Sequence, residues 1–472
     1  MSTSVEIVEQ LCKAIGVEQV VSGSAVEDSY YHIWKMDEPL KAICLTYPKS
    51  TEDVSHILRI CNEAQQPVVV FGGRTNLVGG TETIGNEVII SMEKMNTITE
   101  VDVQSRTMTV QAGAILQTIQ NEATENDLLF PLNFGAKGSA QIGGIISSNA
   151  GGLRVLRYGM TRNLVLGLEA VKADGTIISS LKKIIKDNSA YDLKQLFIGS
   201  EGTLGIITKA VLRLSEKPVS RHSAYAGLSD YKQVVSLLKM MDKGLAGTLS
   251  GFELMWNSYY TKATTEPAEP KPTLPQDYPY YVLIESMGSQ IEKDHEQLQN
   301  LLESALTQGL IEDGVMAHTV SDLEWFWRIR EDVHVISSSC VHDQHFDISL
   351  PIAVIGNILD EIIAELKKIE GVNAVYTFGH VADGNIHLIV DKINLTAKLK
   401  NSINDVVYGP LKSLGGSVSA EHGIGLHKKP YLNLCRTEEE IELMRMLKKT
   451  LDPNGILNPG KVVDVSRLLD PL

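Results

Sequence analysis

Along the first 215 residues, short apolar runs alternate with stretches of helical periodicity. The runs Ala42 to Leu45, Pro67 to Phe71 and Glu87 to Ser91 have strand length, and Thr51 to Ala64 repeats its apolar positions at helical spacing. Glycine and polar residues punctuate the junctions, so the region predicts a mixed α/β or α+β domain. From about Glu216 the texture changes. Tyr281 to Met287, Ile291 to Gln308 and Ile352 to Ile369 read as strands and amphipathic helices of a second domain, a cap on the first. Before them, Thr261 to Tyr280 is rich in Pro, Thr and Glu and predicts an exposed loop. Thr437 to Leu451 has helical periodicity with an acidic first turn, and Asp452-Pro453-Asn454-Gly455 ends it. The expected division is 1–215, 216–415 and a C-terminal segment, 416–472, that completes a site. No internal repeat is present.

Composition narrows the function classes. At 472 residues the chain is long for a single core, and 43% hydrophobic with 21% charged residues is the balance of a globular protein. A net charge of -15 without a basic run argues against nucleic acid as partner, since phosphate neutralisation needs clustered Lys and Arg. No run approaches the roughly 20 apolar residues of a membrane span. The start, Met1 to Lys13, carries acidic residues where a secretion signal would be basic and then apolar, so a cytoplasmic location is expected. Five scattered cysteines without a Cys-X-X-Cys pair suggest free thiols, not a disulfide framework or a thiolate zinc site.

Three glycine-rich segments change the picture. Val68-Val69-Val70-Phe71 runs into Gly72-Gly73-Arg74-Thr75-Asn76-Leu77-Val78-Gly79-Gly80, where glycines allow backbone amides to converge on an anion. The spacing is neither the Rossmann fingerprint nor the phosphate loop, and alone it is equally a sharp turn. A second segment, Gly135-Ala136-Lys137-Gly138-Ser139-Ala140-Gln141-Ile142-Gly143-Gly144, continues through Asn149-Ala150-Gly151-Gly152 to Arg157-Tyr158-Gly159. The third is Gly199-Ser200-Glu201-Gly202-Thr203-Leu204-Gly205-Ile206-Ile207. Together they fit a backbone that wraps closely around a long ligand.

A second constellation carries chemistry. His380 and His387 flank Val381-Ala382-Asp383-Gly384-Asn385-Ile386, with strand-like residues on both sides, so a hairpin would carry the two rings toward each other. With Glu421, from Glu421-His422-Gly423-Ile424-Gly425, they form a borderline ligand set typical of zinc, manganese, iron or cobalt. Each histidine alone is more simply a satisfied polar residue.

In order and over nearly the whole chain, these segments resemble the flavoproteins of the vanillyl-alcohol oxidase / p-cresol methylhydroxylase fold, in their D-2-hydroxy acid dehydrogenase branch. Gly135-Ala136-Lys137-Gly138-Ser139 with Asn149-Ala150-Gly151-Gly152-Leu153-Arg154 and Leu156-Arg157-Tyr158-Gly159 is most similar to the D-2-hydroxyglutarate dehydrogenases. The resemblance implies an α+β fold: a two-subdomain FAD-binding domain and an α+β substrate domain with an antiparallel sheet. It implies FAD, held without a covalent bond because the first loop has no histidine. The pyrophosphate would lie on the amides of Gly72, Gly73, Arg74, Thr75 and Asn76. The rest of the cofactor would run along Gly135, Ser139, Gly143, Gly144, Asn149, Gly152, Tyr158, Glu201, Gly202, Gly205 and Ile207, with Asn385 and Asn458 also in contact. Val70 and Asn76 stand where the family commonly has Pro and Gly.

The same resemblance divides the labour of the polar residues. His380, His387 and Glu421 would hold a divalent metal, zinc first; Arg330 would bind the substrate carboxylate with two parallel bonds; His422 would accept the hydroxyl proton as hydride leaves C2 for flavin N5. His334, His345 and Ile389 stand where the 2-hydroxyglutarate enzymes have Thr, Lys and Asn, which leaves open whether the substrate carries a second carboxylate. His334 and His345 are kept as substrate residues. The expected electron acceptor is an electron-transfer flavoprotein or a quinone, and a homodimer is an open option. Alternative readings are a D-lactate, D-malate or glycolate dehydrogenase, a flavin subunit of a glycolate-oxidase-like complex, an oxidase or ether-lipid-type synthase on the same fold, and a non-enzymatic binding module.

Overall fold

The computed structural model describes residues 2–23, 41–83 and 86–465; Met1 of the amino-terminal stretch read above lies outside them. Contacts divide the chain into two compact units, the first of Met1–Gly152, Gly159–Lys217 and Glu421–Leu472, the second of Leu153–Tyr158 and Pro218–Ala420.

Among the described residues the first unit holds a four-stranded and a five-stranded sheet, and a two-stranded pair, Leu128–Leu129 with Ser215–Glu216. Val20–Ser22, Ala42–Thr46, Glu87–Ser91 and Val68–Phe71 lie side by side in that order, with parallel pairing among the last three. Parallel strands need a crossover, and the helix Thr51–Glu63 supplies it between Ala42–Thr46 and Val68–Phe71. Ser50 caps that helix by accepting from Asp53 N, and the Asp53 side chain returns to the Ser50 amide. Leu45, Val69, Phe71 and Ile89 form one core cluster of this sheet. The second sheet is antiparallel, in the order Ile98–Asp102, Thr107–Gln111, Ile206–Arg213, Val165–Val171 and Ile177–Ser180. The C-terminal helix Glu438–Leu451 belongs to this unit. Its buried Lys448 donates to the carbonyls of Thr203 and Leu457 and pairs with Asp452, so the turn after the helix is held by one cation.

The second unit is built on a seven-stranded antiparallel sheet, ordered Asp313–Met316, Ser220–Leu228, Tyr280–Gly288, Leu249–Trp256, Val372–Gly379, Asn385–Lys392 and His342–Ser349. Alternation along the strands sends Tyr225, Tyr281, Leu283, Met255, Phe378 and Ile389 to one face, where helices Val320–Glu331, Val333–Ser339 and Asn257–Ala263 complete an aromatic core. Phe252, Leu254, Val282 and Ile284 point the other way and are equally buried. Helices cover both faces, so Leu249–Trp256 and Tyr280–Gly288 are buried along their whole length and not at alternate residues.

The fold is α+β, as expected. Differences from the sequence reading have local causes. The helix expected over Ile352 to Ile369 begins as a short 3-10 turn, Ile352–Val354, and is regular only over Ile355–Leu366. The loop expected to be exposed, Thr261 to Tyr280, is partly buried: Ala263, Thr264, Ala268 and Leu274 are inside. Tyr260 anchors it, stacking on Tyr281 with ring centroids 3.6 Å apart and accepting from the Thr273 and Leu274 amides. None of the five cysteines forms a disulfide; Cys44 and Cys61 are buried, and burial pushes the Cys44 thiol up to about 12. Among the described residues no helix is long and apolar enough to cross a membrane.

Candidate active site

In the second unit, antiparallel register sets Met255 opposite Phe378, Phe378 opposite His387 and His387 opposite Asp347. Glu253, two residues before Met255, shares that face. Strands Val372–Gly379 and Asn385–Lys392 form a hairpin whose reversal needs Gly384: its φ is 84°, and a Cβ there would stand 2.5 Å from the Leu350 carbonyl oxygen. The hairpin brings His380 and His387 together, with ring centroids 5.4 Å apart and planes at 88°.

Glu253 is the residue that sequence reading missed. It is buried, accepts from His380 Nδ1 at 2.8 Å and lies 2.8 Å from Arg330 Nη2. The Arg330 contact has the distance of an ion pair without the direction of a hydrogen bond, so Arg330 Nη2 and Nε are both buried with no hydrogen-bond partner among the described residues. Its guanidinium carbon lies 4.6 Å from the centre of the Phe378 ring, a cation–π contact. Burial alone would raise the Glu253 carboxyl, but His380 and Arg330 hold it below its ordinary value. The signal was an acid in Leu249–Trp256, a strand otherwise apolar and small.

Asp347, fully buried, forms a second anchor. Its Oδ1 accepts from Asn385 Nδ2 at 2.8 Å and lies 3.8 Å from His387 Nδ1; its Oδ2 accepts from Ala420 N at 3.1 Å. The carboxylate thus fixes the chain one residue before Glu421. Asn385 is buried and its Oδ1 has no hydrogen-bond partner among the described residues. Farther along the same face, His345 Nε2 meets Asp343 Oδ2 at 2.7 Å and Ser337 Oγ at 3.1 Å. Ile389, opposite His345, is buried in the aromatic core, whereas His334 is exposed. Tyr158 falls in the six residues that join this unit, a segment held by Arg154 on Glu285 at 3.2 Å and Arg157 on the Met287 carbonyl.

In the first unit the glycine segments meet. A Cβ on Gly73 would stand 2.1 Å from the Ser139 carbonyl oxygen, so only glycine permits this approach. Asn76 Oδ1 accepts from the amides of Val78 and Gly80 and so braces the loop through a side chain. Gly143 packs on Ala112 and Gly152 on the Asn133 carbonyl, whereas Gly135, Gly138 and Gly144 face open space. Ser139 is exposed, Ile207 is buried in its strand, and Asn149 ends the helix Ile142–Ser148 in the left-handed region. Asn458 accepts from Val70 N and donates to the Glu201 carbonyl; Gly202 packs against it, and Gly205 against Phe197. The Glu201 carboxylate accepts from the amides of Ile424 and Gly425, and Glu421 lies against Gly151. Burial raises the Glu201 carboxyl against those two amides.

These features fit a flavin dinucleotide: glycine backbone facing open space, and buried polar atoms without a hydrogen-bond partner at Gln141 Oε1 and Lys461 Nζ. The donor set of His380, His387 and Glu421 likewise fits a divalent metal by its chemistry. Glu253 engages His380 Nδ1, so Nε2 is the ring nitrogen that belongs to this donor set.

Comparison with known proteins supports the flavin. A model of the FAD linked oxidases, C-terminal domain, matches residues 217–462, and one of an FAD binding domain matches 42–180. The structure superposes on p-cresol methylhydroxylase with a TM-score of 0.75, 15% identity and 98% of each chain covered, and on alkyldihydroxyacetonephosphate synthase with 0.74, 16%, and 96% and 85% covered. The fold is therefore the FAD-binding fold of the vanillyl-alcohol oxidase / p-cresol methylhydroxylase type. A mitochondrial D-2-hydroxyglutarate dehydrogenase of Danio rerio is 39% identical over 89% of this chain and 78% of its own. One of Bos taurus is likewise 39% identical over 89% and 76%. A D-2-hydroxyglutarate–pyruvate transhydrogenase of Saccharomyces cerevisiae is 34% identical over 94% and 92%. The chain belongs to the FAD-dependent D-2-hydroxy acid dehydrogenase family of that superfamily.

The cytoplasmic location expected above is corrected by these relatives, since the Danio rerio and Bos taurus proteins are mitochondrial by name. Apolar runs and net charge report on membrane insertion and secretion, and neither discriminates between internal compartments.

Lys461 gives a pH test. It is buried among Glu82, Glu87 and Glu201, and burial pulls its pKa down to about 8; in an unfolded chain it titrates near 10.4. Below pH 8 it is charged in both states and its burial cost is complete. Between those values the unfolded chain binds more protons, so stability rises with pH. In flavin-free protein Lys461→Met is expected to stabilise by about 1–3 kcal/mol at pH 7 and to flatten that rise, as read from urea unfolding at pH 7 and 10.

Proposed function

We propose that this chain oxidises a D-2-hydroxy acid to the 2-keto acid, using FAD and a divalent cation. The observation that carries the reading is the buried Arg330 guanidinium with unmet donors, in a chain whose relatives act on D-2-hydroxy acids by name. Arg330 holds the substrate carboxylate through Nε and Nη2. His422 accepts the hydroxyl proton. His380, His387 and Glu421 hold the cation, for which zinc is the first candidate and manganese, iron and cobalt suit the same donors. The glycine segments and Asn458 hold FAD without a covalent bond. When bound, FAD supplies the hydride acceptor and the cation the Lewis acidity that lowers the pKa of a hydroxyl group. An electron-transfer flavoprotein or a quinone is the acceptor that follows.

The side chain of the substrate has a second reading. His345, where the 2-hydroxyglutarate enzymes have Lys, is engaged by Asp343, and Ile389 beside it is apolar. An anion at that end opposes a distal carboxylate, which supports D-lactate or another uncharged substituent over D-2-hydroxyglutarate.

Purified protein is expected to be yellow, to bleach anaerobically with a D-2-hydroxy acid, and to lose turnover but not flavin when treated with a chelator. Bleaching that survives complete metal removal would exclude the metal role, and no bleaching with any hydroxy acid would exclude the reaction. Gly144→Ala tests the flavin contact: Ala favours the helix Ile142–Ser148 by about 0.5–1 kcal/mol, so the apoprotein should be at least as stable, while FAD affinity falls about tenfold or more by fluorescence titration. Unchanged FAD affinity would remove that segment from the cofactor site. Steady-state kinetics with D-2-hydroxyglutarate, D-malate and D-lactate separates the two side-chain readings. His345→Lys is expected to shift the kcat/KM ratio toward D-2-hydroxyglutarate by about tenfold, the size of a charge-assisted hydrogen bond.

A further inference from the structure

Glu253 sits on Leu249–Trp256, a strand buried along its entire length, and its two oxygens serve two different partners. Oε1 accepts from His380 Nδ1, and Oε2 lies 2.8 Å from Arg330 Nη2. A carboxylate removed from water costs several kcal/mol unless cations and donors surround it. The aromatic core around it, with Tyr225, Met255 and Phe378 on the same face, has no polar need of its own for an acid at this position.

We propose that Glu253 is a positioning residue that couples cation binding at His380 to carboxylate binding at Arg330; the proposal rests on the function proposed above. Its hydrogen bond to Nδ1 fixes the His380 tautomer with the lone pair on Nε2, and it aligns the ring, as carboxylates behind metal-bound imidazoles do. Its other oxygen pairs with Nη2 of the guanidinium, while Nε, buried and without a hydrogen-bond partner among the described residues, remains for the substrate. Tyr259 Oη donates to the Arg330 carbonyl at 2.9 Å and fixes the backbone of the same residue. One anion therefore sets the orientation of both groups.

The experiment uses flavin-loaded protein stripped of metal and titrated with zinc alone, followed by kinetics on the zinc-loaded form. Glu253→Gln, which keeps the shape and removes the charge, is expected to weaken zinc about 10- to 100-fold and to raise KM for the better D-2-hydroxy acid. Arg330→Lys is expected to raise KM alone and leave the zinc dissociation constant within about twofold. A Glu253 that merely supports the fold would lower Tm without moving zinc affinity, so an unchanged zinc dissociation constant in folded Glu253→Gln overturns the coupling while leaving the proposed function intact. A wild-type protein that binds none of zinc, manganese, iron(II) or cobalt overturns the coupling and the metal role, while anaerobic bleaching by a D-2-hydroxy acid still decides the reaction. If Glu253→Gln yields no folded protein, Glu253→Asp keeps the charge but withdraws it by one methylene; weaker zinc binding supports the role and unchanged binding overturns it.

Discussion

A carboxylate denied water must be met by positive charge and hydrogen-bond donors, and Glu253 imposes that demand on the centre of the second unit. It is answered from two directions. His380 comes from a hairpin turn and Arg330 from the last turn of a helix, and neither could be moved without exposing the other's partner to an unbalanced field. The strand register that brings Met255, Phe378, His387 and Asp347 into one row is thus fixed by charge as well as by packing. Asp347 repeats the device on the far side, where its second oxygen is committed to the Ala420 amide.

The first unit solves a different problem. Its glycines serve close approach, and the Ser139 carbonyl would collide with any side chain at residue 73. Where Gly135, Gly138 and Gly144 face open space, the same residue type leaves room beside the backbone. Asn76 braces the loop with its side chain, which accepts from the amides of Val78 and Gly80.

Much of the architecture was legible because the signals are local. Helix Thr51–Glu63 has its capping box, Glu438–Leu451 its capping threonine, and the strands Glu87–Ser91 and Tyr280–Gly288 their short apolar runs, Val88 to Ile90 and Tyr280 to Ile284. The paired histidines could be read from the short polar turn between two strands. Thr261 to Tyr280 misled because Pro, Thr and Glu suggest solvent, while the stacking of Tyr260 on Tyr281 joins the residues that flank the segment on either side.

By itself the amino-acid sequence determined the fold class, the glycine segments and the inventory of groups able to bind metal, carboxylate and proton. The glycine segments and the paired histidines rest on residue type and spacing within a few turns of chain, whereas the α+β class and the role of Arg330 rest on the resemblance over the whole chain. Only the tertiary structure decided which groups are tied to which: Glu253 lies 127 positions from His380, and nothing in a strand of apolar neighbours says which cations will surround its acid. It also showed His345 already engaged by Asp343 and His334 turned to solvent. Burial makes a charge selective about its partners, and burial is a property of packing that no local pattern contains.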